Sequence, residues 1–142
     1  MKETTILKYI KILSFFGILL SVYLLWQRYF HPSIHPCSIN STINCDAIIN
    51  GPVANTLGIP TPLYGLTGYI IIFISSFLIK KKTILGMALF GLIFCLWIAY
   101  QELFLLRVIC PVCILCQVTM IGVFILSIML LKKKTQKVRE II

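Results

Sequence analysis

Acidic side chains are nearly absent from this 142-residue sequence; Glu3, Asp46, Glu102 and Glu140 are the whole set. Charges of both signs amount to only 12% of the residues, while 59% are hydrophobic and the mean hydropathy is +0.99. Soluble domains are about 45–50% apolar. A water-facing surface cannot be assembled from so few charges, so lipid must solvate much of the chain. The length suits one domain, residues 1–142.

Basic residues are plentiful, with thirteen Lys and Arg and a net charge of +9. What is missing is a basic amphipathic face. The cations stand at the ends of apolar runs instead, which argues against nucleic acid and for attraction to the cytoplasmic leaflet of a bilayer.

Charge disappears from four stretches: Ile12–Gln27, Ala47–Ile79, Thr83–Gln101 and Val108–Leu131. A membrane-spanning helix needs roughly 20 apolar residues. The first stretch is short, but Lys11 and Arg28 can snorkel, and Tyr9 and Tyr29 suit the interfaces. The second contains Gly51, Pro52, Pro60 and Pro62, which a helix would not cross. The spans expected are therefore about 10–29, 63–79, 83–103 and 111–131, with an outer loop over 30–62. An even number of spans puts both termini on one side. Eleven Lys and Arg gather there, at the N-terminus, Lys80–Lys82 and the C-terminus, against Arg28 and Arg107 opposite. The positive-inside rule makes the termini cytoplasmic and turns the loop and the Arg107–Cys110 end outward. No small-x-small cleavage site follows the first run; Trp26-Gln27-Arg28-Tyr29-Phe30 occupies that place, so the run reads as a span and not a removed signal peptide. Trp26 and Trp97 read as interfacial or packing residues.

Four of the six cysteines, Cys37, Cys45, Cys110 and Cys113, then face outward, into an oxidising compartment where disulfides form and exchange. Cys110-Pro111-Val112-Cys113 is a C-x-x-C at the start of a helix, with proline at a position whose N–H would be unpaired anyway. Cys113 falls in the first turn, at the positive end of the helix dipole, where a thiolate is favoured. Cys37 and Cys45, separated by seven residues, form either a static staple or a second exchanging pair. Four cysteines allow three pairings, and spacing does not choose among them. Zinc held by all four is the competing chemistry. An iron–sulfur cluster on Cys110, Cys113 and Cys116 lacks its further cysteine, because Met120 stands there. Cys95, in the middle of the third span, reads as packing. Cys116, one turn below Cys113, either packs or lines a pocket beneath the thiol. His31 and His35 read as solvated loop residues.

The order of these features resembles the vitamin K epoxide reductase family in its bacterial form: a loop cysteine pair, then Gly58-Ile59-Pro60-Thr61-Pro62-Leu63-Tyr64-Gly65-Leu66, then C-x-x-C opening the last helix. The resemblance runs from about Ile12 to Leu131. The disulfide-bond B proteins carry the two pairs in the reverse order. The resemblance implies an all-α membrane protein, a four-transmembrane-helix bundle around a quinone (ubiquinone or menaquinone), capped by the outer loop with a short surface helix over Asp46–Leu57. It implies that Cys110 and Cys113 adjoin the quinone, with Cys113 contacting the ring. Cys37 would meet a thioredoxin-like (DsbA-like) oxidase supplied in trans, since no such domain is fused here, and Cys45 would exchange with Cys110. Thr61 and Tyr64 match positions that contact the quinone head group; Gln117 does so more loosely, and Cys116 lies beside them. Where the family often has Ser or Thr, six residues after the second loop cysteine, this chain has Gly51, and Asn50 is the candidate substitute.

The expected function is thus a thiol–disulfide oxidoreductase of the bacterial inner membrane, passing electrons from the partner through Cys37/Cys45 and Cys110/Cys113 to quinone and so supporting disulfide bond formation. The alternative is a small cysteine-based heavy-metal transporter. Such a protein should carry polar groups at mid-membrane depth. Cys95 and Thr67 are the few in the spans, and Glu102 reads as an interfacial charge near the outer end of the third, beside Arg107.

Overall fold

The computed structural model describes residues 2–30, 38–51 and 55–141. Four long helices dominate it: α1 (Glu3–Phe30), α3 (Thr61–Phe77), α4 (Lys81–Tyr100) and α5 (Pro111–Ile141). The protein is an all-α membrane bundle of about four spans. Three of the helices, counting α4 with its continuation to Leu106, are long and apolar enough to cross a membrane, and α3 is a shorter apolar helix. Helical structure runs beyond the hydrophobic stretches at both chain ends, to Glu3 and Ile141.

The helices pack as a ring in which α1 touches α3 and α5, and α4 touches the same two. Apolar residues line the inside, among them Ile6, Ile10, Tyr69, Ile72, Ile84, Val123 and Leu130. Large apolar side chains such as Phe15, Phe90, Ile93 and Leu96 remain on the outside, as lipid contact requires. Small polar residues (Ser14, Ser21, Ser75, Ser76, Thr119, Ser127) are buried between helices, where they let backbones approach. Several return their hydroxyl to their own helix, as Ser127 does to the Val123 carbonyl at 2.6 Å. The Tyr69 hydroxyl of α3 donates to the Cys116 carbonyl of α5 at 2.7 Å. The ring of Tyr69 passes over Gly17 of α1, where a Cβ would collide with it.

At the end holding the chain termini, Lys81 pairs with Glu3 and the Lys11 ammonium lies 4.1 Å from the Phe77 ring centroid. At the other end the connections form a cap. The surface helix expected over Asp46–Leu57 is only one turn, α2 (Asp46–Ile49). It stops early because the backbone comes round on itself at Gly51, where any Cβ would strike the Ala47 carbonyl. A two-residue hairpin, β1 (Asn55–Thr56) and β2 (Ile59–Pro60), follows in place of more helix, turning through Leu57 and Gly58 at positive φ. Arg28, at the end of α1, fastens this cap. Its guanidinium donates to the Ile49 carbonyl and, at 2.8 Å, to Asn55 Oδ1.

Candidate active site

Helix α4 does not end at Tyr100 but loosens into a π-helical turn, Gln101–Leu106. Such turns commonly mark functional positions. Arg107, left-handed at φ 51°, closes the turn by donating its N–H to the Glu102 carbonyl. The chain then runs extended through Ile109, which pairs in parallel with Ile43 of the outer loop. The Ile109 N–H donates to the Thr42 carbonyl at 2.7 Å, and the Asn44 N–H to the Ile109 carbonyl at 3.1 Å. This short bridge brings Cys45, two residues past Ile43, beside Cys110, the residue that follows Ile109.

Both sulfurs are fully buried, in an apolar cluster with Leu24, Ile48, Ile49 and Val108. Their Sγ atoms lie 2.8 Å apart. Cys45 is disulfide-bonded, while Cys110 and Cys113 are free thiols. Cys37, with His31 and His35, lies outside the described residues. Asn44 shapes the turn before Cys45: its Oδ1 accepts from the Ala47 N–H at 3.2 Å and from the Ser38 hydroxyl at 3.0 Å.

Cys110 immediately precedes α5, and the Cys113 N–H donates to its sulfur at 3.3 Å. The sulfur thereby does what a Ser or Asp oxygen does at a helix start. The sequence points to Cys113 as the thiol favoured by the helix terminus; in the structure the first-turn N–H is given to Cys110 instead.

Cys113 opens onto a cavity of about 310 Å³ lined by residues of α1, α3, α4, α5 and the cap. That volume lies at the lower end of small-molecule sites. Thr61, Tyr64, Cys116 and Gln117 all line it, as the resemblance implies. Thr61 gets there because Pro60 and Pro62 force the chain to turn into α3 at this residue. Tyr64 packs on Phe94 with ring centroids 5.3 Å apart. The remaining wall is largely apolar, including Leu24, Ile49, Met87 and Phe90. Asn50 is the exception among the expected residues. It does not line the cavity, and its side-chain amide is engaged outside, on Asp46 Oδ1 at 2.6 Å. Gly51 supplies no hydroxyl, and the close approach of Ala47 would block one.

Three residues escaped the sequence reading. Arg28 was expected as a snorkelling cation but ties down the cap. Tyr69 carried no motif at all, yet it spans the bundle beneath the cavity. Glu102, expected as an interfacial charge beside Arg107, is buried, only 4% exposed. A carboxylate oxygen of Glu102 and the sulfurs of Cys110 and Cys113 lie within 4.8 Å of one another. These groups would offer a divalent ion two sulfurs and an oxygen only once both thiols were deprotonated. The set proposed for zinc from sequence is different, and with Cys45 in a disulfide its four thiolates are not assembled.

The arrangement is therefore a buried, disulfide-bonded Cys45 abutting a C-x-x-C thiol pair, which in turn faces an apolar slot. No curated protein matches the sequence. Residues 8–128, most of the chain and all of these elements, match the vitamin K epoxide reductase family, so the protein belongs to that family and is a membrane thiol oxidoreductase.

Proposed function

We propose that this protein re-oxidises a thioredoxin-like thiol partner outside the cytoplasm and passes the electrons to a membrane quinone, in the bacterial inner membrane with its termini cytoplasmic. The observation that carries this reading is the chain of proximity from the Cys45 sulfur to Cys110 at 2.8 Å and on to Cys113 at the cavity wall.

Cys37 takes electrons from the partner's dithiol, which becomes a disulfide as Cys37–Cys45 is reduced. The Cys45 thiolate attacks Cys110 of the Cys110–Cys113 disulfide, and Cys113 leaves as the free thiol. Cys37 then attacks Cys45, restoring the loop disulfide and releasing Cys110. Thiol–disulfide exchange needs an attacking sulfur in contact with the one attacked, and the backbone bridge through Ile43 and Ile109 provides this contact. In the dithiol state the Cys113 N–H donates to the sulfur of Cys110.

The cavity fits a quinone head group in chemistry as well as size. Its walls are apolar, Thr61 and Gln117 offer polar atoms suited to ring carbonyls, and a thiol stands at its edge. A bound quinone supplies a two-electron, two-proton acceptor. The chain's part is to hold the ring against Cys113 between Tyr64 and α5, to keep water out, and to deliver electrons from one place only.

Quinol formation by the purified protein in detergent, with a reduced thioredoxin-like donor, tests the reading. The native chain should turn over, and Cys37→Ala and Cys113→Ala should each abolish it. Full turnover by Cys113→Ala defeats the assignment. Tight soft-metal binding with no turnover by the native chain would favour a transporter.

A further inference from the structure

Dithiol oxidation releases protons as well as electrons, and the apolar surroundings of Cys110 and Cys113 contain little that can accept one. Glu102 is the exception. Among the four carboxyl side chains of the sequence it alone is buried. Its side chain is not needed to build the π turn, because Arg107 and Val108 donate to its backbone carbonyl. Its Oε1 has no hydrogen-bond partner among the described residues. An unpartnered buried carboxyl oxygen is costly to stability and calls for an explanation. The explanation on the page is its position, within 4.8 Å of both sulfurs of the C-x-x-C pair.

We propose that Glu102 is the proton relay of the Cys110–Cys113 pair, taking a proton from the Cys113 thiol as the pair is oxidised and returning it towards the acceptor in the cavity. The proposal rests on the thiol-to-quinone reading above. In the step, two S–H bonds break and the Cys110–Cys113 S–S bond forms. Two electrons and two protons leave the pair for the quinone, and Glu102 carries one of those protons. When the pair is reduced again through Cys45, Glu102 stands where it can reprotonate the departing Cys113 sulfur. The π turn then has a purpose, since it swings this one residue inward from a helix whose neighbours Leu103, Phe104 and Leu105 all face outward.

Two measurements decide the matter. The first is single-turnover quinone reduction by the pre-reduced native protein, Glu102→Gln and Glu102→Asp, in H2O and D2O. Positioned proton transfer typically contributes about 10²–10⁴-fold. Glu102→Gln should lose about a hundredfold and acquire a larger solvent isotope effect, while Glu102→Asp regains much of the rate. Equal rates and isotope effects in native and Gln proteins overturn the relay. A native protein that cannot reduce quinone overturns the functional reading instead. The second needs neither a Glu102 variant nor quinone. It is an infrared difference spectrum between the dithiol and disulfide states of the native protein in detergent. A carboxyl band that changes with thiol oxidation, and is absent from the Cys113→Ala spectrum, is the expected result. A spectrum with no carboxyl change overturns the proposal even if Glu102→Gln does not fold.

Discussion

The sulfur of Cys110 rests 2.8 Å from that of Cys45, although 65 positions separate them in sequence. This is longer than the roughly 2.05 Å of an S–S bond but leaves no room for another atom between them. The contact implies one specific mixed disulfide. Replacing Cys113 by Ser removes one of the two thiols that can resolve it, the other being Cys37, so Cys45–Cys110 should be enriched when the variant is oxidised. Peptide mapping by mass spectrometry without reduction should find this pair and not Cys37–Cys110.

Polar atoms in an apolar slot govern how a head group is held. Gln117→Leu and Thr61→Val should each weaken quinone binding by about 1–3 kcal/mol if the ring carbonyls lose a partner, which is roughly 5- to 150-fold in KM. The rate of donor-to-Cys45 exchange should be unaffected. Asn50→Ala, outside the slot, should leave KM unchanged, and comparing the three KM values checks the boundary of the site.

Gly17 and Tyr69 should behave as a pair. Gly17→Ala puts a methyl into the Tyr69 ring, and overpacking of this kind costs about 1–3 kcal/mol. Tyr69→Phe loses the bond to the Cys116 carbonyl, worth about 1 kcal/mol between membrane helices. Thermal unfolding in detergent should show both losses. Gly17→Ala in a Tyr69→Leu background should cost less than in the native chain, because the ring it strikes is gone.

Arg28 holds the cap through a fork of donors, to the Ile49 carbonyl and Asn55. Arg28→Ala should speed proteolysis of the outer loop and slow exchange between Cys45 and Cys110 by about tenfold, a charge-assisted hydrogen bond being worth about 1.5–3 kcal/mol. Arg28→Lys should restore little, since one ammonium cannot reproduce the fork. Quenched-flow thiol trapping would measure the exchange.

Much of this fold was written in the distribution of charge. Lys80–Lys82, Arg28 and the prolines at 60 and 62 punctuate the apolar runs, and the helices break where these residues stand. The helix start at the C-x-x-C is legible because its proline and spacing are local, and the motif around Thr61 and Tyr64 marks the turn into α3 that sets them on the cavity wall. The short α2 is not legible, because its stop depends on how closely Gly51 approaches Ala47, a contact that composition does not encode. Glu102 departs from its expected place for a related reason. By count it sits at the end of a span, where a charge ordinarily faces the interface, and only the π turn redirects it inward. The role of Tyr69 depends on Gly17, which lies 52 positions earlier on another helix.

The bridge between the outer loop and the strand before α5 is made of main-chain atoms: the N–H groups of Asn44 and Ile109 and the carbonyls of Thr42 and Ile109. Every amino acid except proline carries the same donor. The alignment of Cys45 with Cys110 rests on these main-chain bonds and not on the side chains at positions 42, 43 and 109. That segment can therefore be rewritten in sequence without losing the bridge, with proline at position 109 as the change that would cut the 2.7 Å link to Thr42.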